Sequence, residues 1–232
     1  MPASEDRRRG SYPKGIAKRE EILSRALDVI AREGYAGASV KELAAAVGLS
    51  QGGLLHYFDS KEELFTAILR KRDEVDLALF DGPGEPAAPS GAGAASSGDT
   101  GDSDAGTVLF STTGPTFDEL RDGFLAVIRH NSEVPGLVQL FSRVAVDAAD
   151  PAHPAHGFFL ERGERLREAF VHALADAQAA GRVRSDVDPA MFARVYQAVS
   201  DGMQLQWMLE PDADMAAAVD ALFAVLTTEE SS

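Results

Sequence analysis

The sequence predicts an all-α protein of about nine helices. Three observations carry this reading. Apolar residues recur at spacings of three and four along most of the chain, the period of one helix face. The alternation that marks strands is almost absent. Prolines and glycines fall mostly between the periodic stretches.

The elements follow in order. Ile22, Leu23, Ala26, Leu27 and Ile30 form one apolar face, and Gly34 ends that helix. Ser39 can cap a second helix, with Glu42 three residues on completing a capping box. Val40, Leu43, Ala44 and Val47 form its inward stripe, and Gly48 stops it. Ser50 caps a very short third helix, expected to run to about Phe58. Ser60 caps a fourth, with Glu63 at the box position and Leu64, Phe65, Ile68 and Leu69 on its apolar side. Further helices read at about 117–132, 135–148, 155–181, 188–209 and 212–227, punctuated by Pro135, Pro151, Pro154, Pro189 and Pro211.

One stretch interrupts this pattern. Residues 82–106 are almost wholly Gly, Pro, Ala and Ser, with no large apolar side chain. Nothing there offsets the entropy of ordering, so a loose loop is expected. The chain then divides into a basic arm (1–17), a helix-turn-helix unit (18–62), a linking helix (63–81), the flexible loop (82–116) and a helical body (117–232).

Composition narrows the function. The 232 residues carry a net charge of −15, with 45% hydrophobic and 25% charged residues, as globular proteins do. There is no cysteine, which excludes disulfides, thiolate metal sites and thiol catalysis and suits the cytoplasm. No apolar run suits a secretory signal or the ~20 residues of a membrane span. The charge is segregated. Residues 1–72 hold 13 Lys and Arg against 10 Asp and Glu, leaving 9 basic and 27 acidic residues for the remainder. A basic head on an acidic body suits a protein whose head alone meets a polyanion; a solvated charged tail gives the same count.

The stretch from Ser39 to Phe58 has the pattern helix, short turn, helix. Gly48 sits where a left-handed backbone is easy only for glycine, and Leu49 plugs the angle between the helices. This is helix-turn-helix architecture, whose second helix enters the major groove. Gly52 and Gly53 let that helix approach DNA closely, and Gln51 can read an adenine edge with two hydrogen bonds. His56, Tyr57 and Lys61 are placed to hold phosphates. The candidate DNA-binding set is Ser39, Lys41, Ser50, Gln51, Gly52, Gly53, His56, Tyr57 and Lys61.

Residues 18–72 resemble the DNA-binding domain of the TetR/AcrR family of bacterial transcriptional regulators. Arg19 to Leu23 with Ala26 and the Gly34–Tyr35 turn is similar to its first helix, and Ser39 to Leu54 to its second and third. His56 to Leu64 is similar to the signature Tyr-x-x-Phe-x-Ser-Lys-x-x-Leu, with Leu55 standing where the family usually has Tyr. The resemblance implies a dimeric, cofactor-free repressor of a palindromic double-stranded operator. A fourth helix would link the DNA-binding unit to a body that binds a small ligand and dimerises through its last two helices. Tyr196, Val199, Met203, Leu205, Gln206 and Trp207 put apolar and amide groups on more than one side of one helix, as a helix facing both core and partner would. The candidate interface is Tyr196, Val199, Met203, Gln206, Trp207 and Leu222. The candidate ligand pocket is Phe124, Ile128, Leu140, Phe141, Val144, Phe159 and Arg162, an apolar lining with a cation; plain core is the competing reading.

Other chemistry fits less well. Asp147, Asp150, His153 and His156 recur every three residues, but Pro151 and Pro154 break the helix that would align them on a metal. There is no nucleophile elbow and no phosphate-binding glycine loop. Catalysis, as in a helical hydrolase, is the weakest alternative; a ligand-independent activator or architectural DNA-binding dimer is the stronger one.

Overall fold

The computed structural model describes residues 6–35, 37–80 and 115–226, and these form nine α-helices and no strand. They are α1 (Asp6–Glu33), α2 (Val40–Ala46), α3 (Gln51–Leu54), α4 (Lys61–Phe80), α5 (Phe117–Glu133), α6 (Pro135–Asp147), α7 (His156–Ala179), α8 (Pro189–Leu209) and α9 (Met215–Ala224). The expected loop at 82–106 lies outside the described residues. None of the described helices is long and apolar enough to cross a membrane.

Local chemistry sets the helix ends. Ser39 Oγ accepts from the Glu42 backbone N–H at 3.3 Å, and Glu42 Oε2 accepts from the Ser39 N–H at 2.8 Å. The same box joins Thr116 and Glu119 at the start of α5. These hydrogen bonds hold both glutamate carboxyls below their usual range. Pro135 and Pro189 open α6 and α8, where a missing N–H costs nothing.

Three boundaries differ from the sequence reading. α1 begins at Asp6 and so takes in most of the segment set apart as an arm. The packed stripe Ile22–Ile30 nucleates this helix, and it extends toward the N-terminus although Gly10, Pro13 and Gly15 oppose helix formation. α3 is four residues long and stops well short of Phe58. Gly52 and Gly53 weaken it, and the Tyr57 N–H turns back onto the Leu54 carbonyl at 3.0 Å. α9 starts at Met215 because Asp214 caps it, accepting from the Ala217 N–H at 2.9 Å.

Two cores result. The first joins Ile22, Ile30, Leu43, Leu54, Phe58, Leu64 and Ile68 of the N-terminal helices to Leu140, Phe141 and Val144 of α6 and Phe158 of α7. The second joins α5, α7, α8 and α9 around Tyr196, whose ring centroid lies within 5.0 Å of those of Phe124, Phe170 and Phe223. The first core thus crosses the sequence boundary between head and body: α6, placed with the body, packs its apolar face on the head.

Candidate nucleic-acid interface

Gly48 adopts φ +69°, which lets the chain turn sharply between α2 and α3. Leu49 is half-buried against the N-terminal core, and Leu55 packs there too. Leu55 is therefore a packing residue in this chain. The turn holds α2, α3 and the start of α4 around one hollow of about 480 Å³. Ser39, Lys41, Gln51 and Lys61 lie on its wall, with Tyr35 and Phe65 behind them. The last two stand outside the candidate DNA-binding set, and Phe65, on the apolar side of α4, is buried in the first core.

The other candidates lie beside the hollow. Ser50 Oγ caps α3, accepting from the Gly53 N–H at 3.0 Å. His56 is exposed and Tyr57 half-buried, their ring centroids 6.0 Å apart. Gly52 is exposed, its φ is ordinary, and a side chain added there would meet open space. No contact within the chain calls for glycine at this position, and glycine inside a helix costs about 1 kcal/mol relative to alanine.

Charge pairing sharpens the picture. Lys18 pairs with Glu21, Arg25 with Asp28, Arg70 with Glu161, and Lys71 with Glu20 and Glu74. Arg19 Nη2 donates to Glu63 Oε1 at 3.0 Å, while Glu63 Oε2 accepts from the Asp59 N–H, and the Arg19 guanidinium lies over Phe58. Lys41 and Lys61, by contrast, have no carboxylate within ion-pair distance among the described residues; Lys61 Nζ sits 5.5 Å from the Phe65 ring centroid. Of the head's ten cations with described side chains, six are ion-paired within the fold. Two of the lysines left over face the hollow.

The remaining candidates separate. Phe124 and Ile128 belong to the second core, whereas Leu140, Phe141 and Val144 belong to the first, with Phe159 packed against it. Arg162 is bound to Asp73 at 2.8 Å and stacks on Phe141. These seven residues therefore do not line one pocket, because α5 turns its apolar face toward α7–α9 and α6 turns its own toward α1 and α4. A second hollow, of about 260 Å³, lies between α1, α4 and the α5–α6 turn, with Leu27, Arg72, Asp76, His130 and Leu137 on its wall.

The interface candidates also divide. Tyr196 and Trp207 are buried in the second core, Val199, Met203 and Leu222 pack partly against it, and Gln206 is exposed. The apolar stripe that faces out on α8 is Met191, Val195, Leu205 and Leu209, roughly a third of a turn away. Among the described residues no group of three metal-ligating side chains comes together. His153 and Asp150 instead accept backbone N–H bonds within the α6–α7 connection, and His156 Nδ1 lies 2.8 Å from the Ala148 carbonyl oxygen.

Nine helices among the described residues, with a helix-turn-helix at one end, define a class of DNA-binding regulator. A family model described as "Bacterial regulatory proteins, tetR family" matches residues 22–68, and "BetI-type transcriptional repressor, C-terminal" matches residues 154–229. The chain belongs to the TetR family of bacterial transcriptional regulators. It is 40% identical over 73 residues to the HTH-type transcriptional regulator RutR of Escherichia coli (strain K12), a match covering 32% of this chain and 34% of RutR. The chain thus spans about a third of that relative's length. The fold is similar to that of SmeT, the repressor of the Stenotrophomonas maltophilia multidrug efflux pump SmeDEF (TM-score 0.59, 18% identity, 91% of each chain). It is also similar to Thermus thermophilus FadR, a repressor solved with lauroyl-CoA (TM-score 0.52, 16% identity, 92% of this chain and 98% of that one).

Proposed function

We propose that the protein is a cytoplasmic transcriptional repressor that binds a palindromic operator as a homodimer and is released by a small-molecule ligand. The observation that carries this reading is the hollow at the helix-turn-helix, where Lys41, Lys61 and Gln51 converge with no carboxylate among the described residues paired to either cation. Phosphate oxygens supply the missing negative charge, and Gln51 reads a base edge. Gly52 allows the close approach. Residues 18–62 serve DNA, α4 links, and 117–232 form the ligand-binding and dimerising body.

Dimerisation follows from the outward stripe of α8. Leu209 is 83% exposed and Met191 59%, and such a row on one helix face is covered in a C2 pair. Ligand release follows from family membership and from repressors such as FadR that take a small molecule. The chemical class of ligand is left to a metabolite screen against the DNA complex.

Selection of bound DNA from a random pool tests the reading. It should return a palindrome whose half-sites are roughly 34–36 Å apart or a multiple; an asymmetric or unselected pool would overturn it. On that operator, Lys61→Ala should weaken binding to all sequences alike and lower the salt slope by about 1. Gln51→Ala should cost roughly 1–3 kcal/mol and relax preference at one base pair. Fluorescence anisotropy on cognate and scrambled duplexes separates the two. Identical behaviour on both would remove the distinction between positioning and reading.

A further inference from the structure

We propose that Arg19 and Glu63 are positioning residues for DNA binding: their ion pair fixes the turn between α3 and α4, and with it the phosphate-facing groups His56, Tyr57 and Lys61. The proposal rests on the reading of this end of the molecule as the DNA interface.

The turn needs such support. Residues 55–60 lie between a helix of four residues and the start of α4. Three of the candidate DNA-binding residues, His56, Tyr57 and Lys61, sit in this stretch or directly after it. A segment so short has no helical ladder of its own to hold it.

One carboxylate supplies the support. The Glu63 N–H donates to Ser60 Oγ at 3.0 Å, the ordinary cap of a helix start. In a capping box the glutamate would then reach back to the Ser60 N–H. Here it reaches one residue further, and Oε2 accepts from the Asp59 N–H at 2.6 Å. Its other oxygen, Oε1, accepts from Arg19 Nη2 of α1 at 3.0 Å. The same guanidinium lies 4.8 Å from the centroid of the buried Phe58 ring. Arg19 therefore grips the turn twice, at Phe58 and, through Glu63, at the Asp59 backbone. Lys61 follows two residues later.

Neither stability nor charge explains this arrangement. The Arg19 and Glu63 side chains are 37% and 31% exposed, and ion pairs open to solvent add little to stability. Glu63 also places a negative charge in the unit that meets phosphates, and it occupies a cation that could have met one. What the pair offers is geometry. A turn held in one arrangement loses no freedom when DNA binds, whereas a loose turn is ordered only in the complex and at its expense.

The test uses the full chain and its selected operator. Glu63→Gln should weaken binding about fivefold, the weight of one helix cap, although it removes a negative charge from the DNA-binding unit. Glu21→Gln, which frees Lys18 on α1 instead, should bind at least as tightly as the wild type. Arg19→Met should match Glu63→Gln and leave the salt slope unchanged, because the bound state keeps its phosphate contacts. The double variant should be no weaker than either single one, since each removes the same link. Tighter binding by Glu63→Gln would mean that the carboxylate only repels DNA or withholds Arg19, and would overturn the proposal. A salt slope lowered by about 1 in Arg19→Met would make that residue a phosphate contact and overturn it too. So would an equal loss in Glu21→Gln, additive losses in the double variant, or affinities within about twofold of wild type in both single variants. A readout without DNA stands beside these. Backbone amides of residues 57–63 should exchange faster with solvent in both single variants, while the melting temperature falls by no more than about 2–4 °C. Unchanged exchange overturns the proposal. A wild-type chain that selects no DNA sequence would instead overturn the proposed function and leave the exchange result to decide whether the pair fixes the turn.

Discussion

Arg72→Met is expected to destabilise the protein by about 3–5 kcal/mol, the cost of stranding one member of a buried ion pair. Arg72 is 3% exposed and Asp76 6%. Arg72 Nη2 donates to Asn131 Oδ1 at 2.9 Å across the α4–α5 contact, and the guanidinium lies over Phe141 of α6. Its Nε lies 3.2 Å from Asp76 Oδ2, yet neither atom is aligned for a hydrogen bond. The pair is therefore held by charge and stacking, and Asp76 depends on Arg72 for compensation. Burial pushes the Asp76 carboxyl above the usual carboxylate range although Arg72 pulls it down. Without Arg72 it rises further, and protonation becomes the easier escape. A raised carboxyl favours the folded state at low pH and loses that contribution as pH rises through its folded value. The defect of Arg72→Met should then be smaller at pH 5 than at pH 8. His130 also acts on Asp76, so denaturant unfolding is compared in a His130→Gln background. Arg72→Met with Asp76→Leu should recover most of the loss, because no charge is left buried. A pH-independent defect would trace the cost to packing on Phe141 instead.

The contrast between the Arg72–Asn131 bond and the helix caps shows which information is local. Ser39 and Glu42 are three residues apart, and their box can be read from the sequence because both partners belong to one turn of helix. Gly48 is legible for the same reason: a turn of that sharpness has a backbone requirement that one residue satisfies. Arg72 and Asn131 are 59 positions apart, and nothing in either stretch announces the other. The seven residues grouped as a pocket fail in a related way. Each lies on a true apolar stripe, but a stripe records only that a face is covered and not which helix covers it. Phe124 went to α7–α9 and Phe141 to α1 and α4. Four of the nine candidate DNA-binding residues, Ser39, Lys41, Gln51 and Lys61, do line one hollow, because one short motif brings them together. What sequence could not show is which of the head's many cations stay free. Lys61 and Arg19 look alike in the sequence, and only folding commits Arg19 to Glu63.

The register of α8 leads to the second large effect. Leu205 is 51% exposed and Leu209 83%, and they share a helix face with Met191 and Val195. Tyr196 and Trp207, the larger and more conspicuous residues, are turned into their own chain's core and have little left to offer a partner. Leu205→Glu with Leu209→Glu should therefore break the proposed dimer while leaving the protomer folded, because exposed positions tolerate charge. Two helices bearing like charges cannot be pressed together without desolvating them. Sedimentation should show monomer at micromolar concentration and an unchanged melting curve for the second core. The consequence for DNA is larger than for the protein. In the dimer, engagement of one half-site makes the second intramolecular, which raises apparent affinity by about 10²–10⁴-fold. The double variant should lose that factor on the full operator and bind a single half-site as the wild type does. Two half-sites moved apart by five base pairs should cost the wild type the same factor and cost the variant nothing, because only the dimer carries a fixed spacing. A variant that remains dimeric would place the interface elsewhere. A monomeric variant that still prefers the correctly spaced operator would show that the DNA, rather than this helix face, holds the two protomers in register.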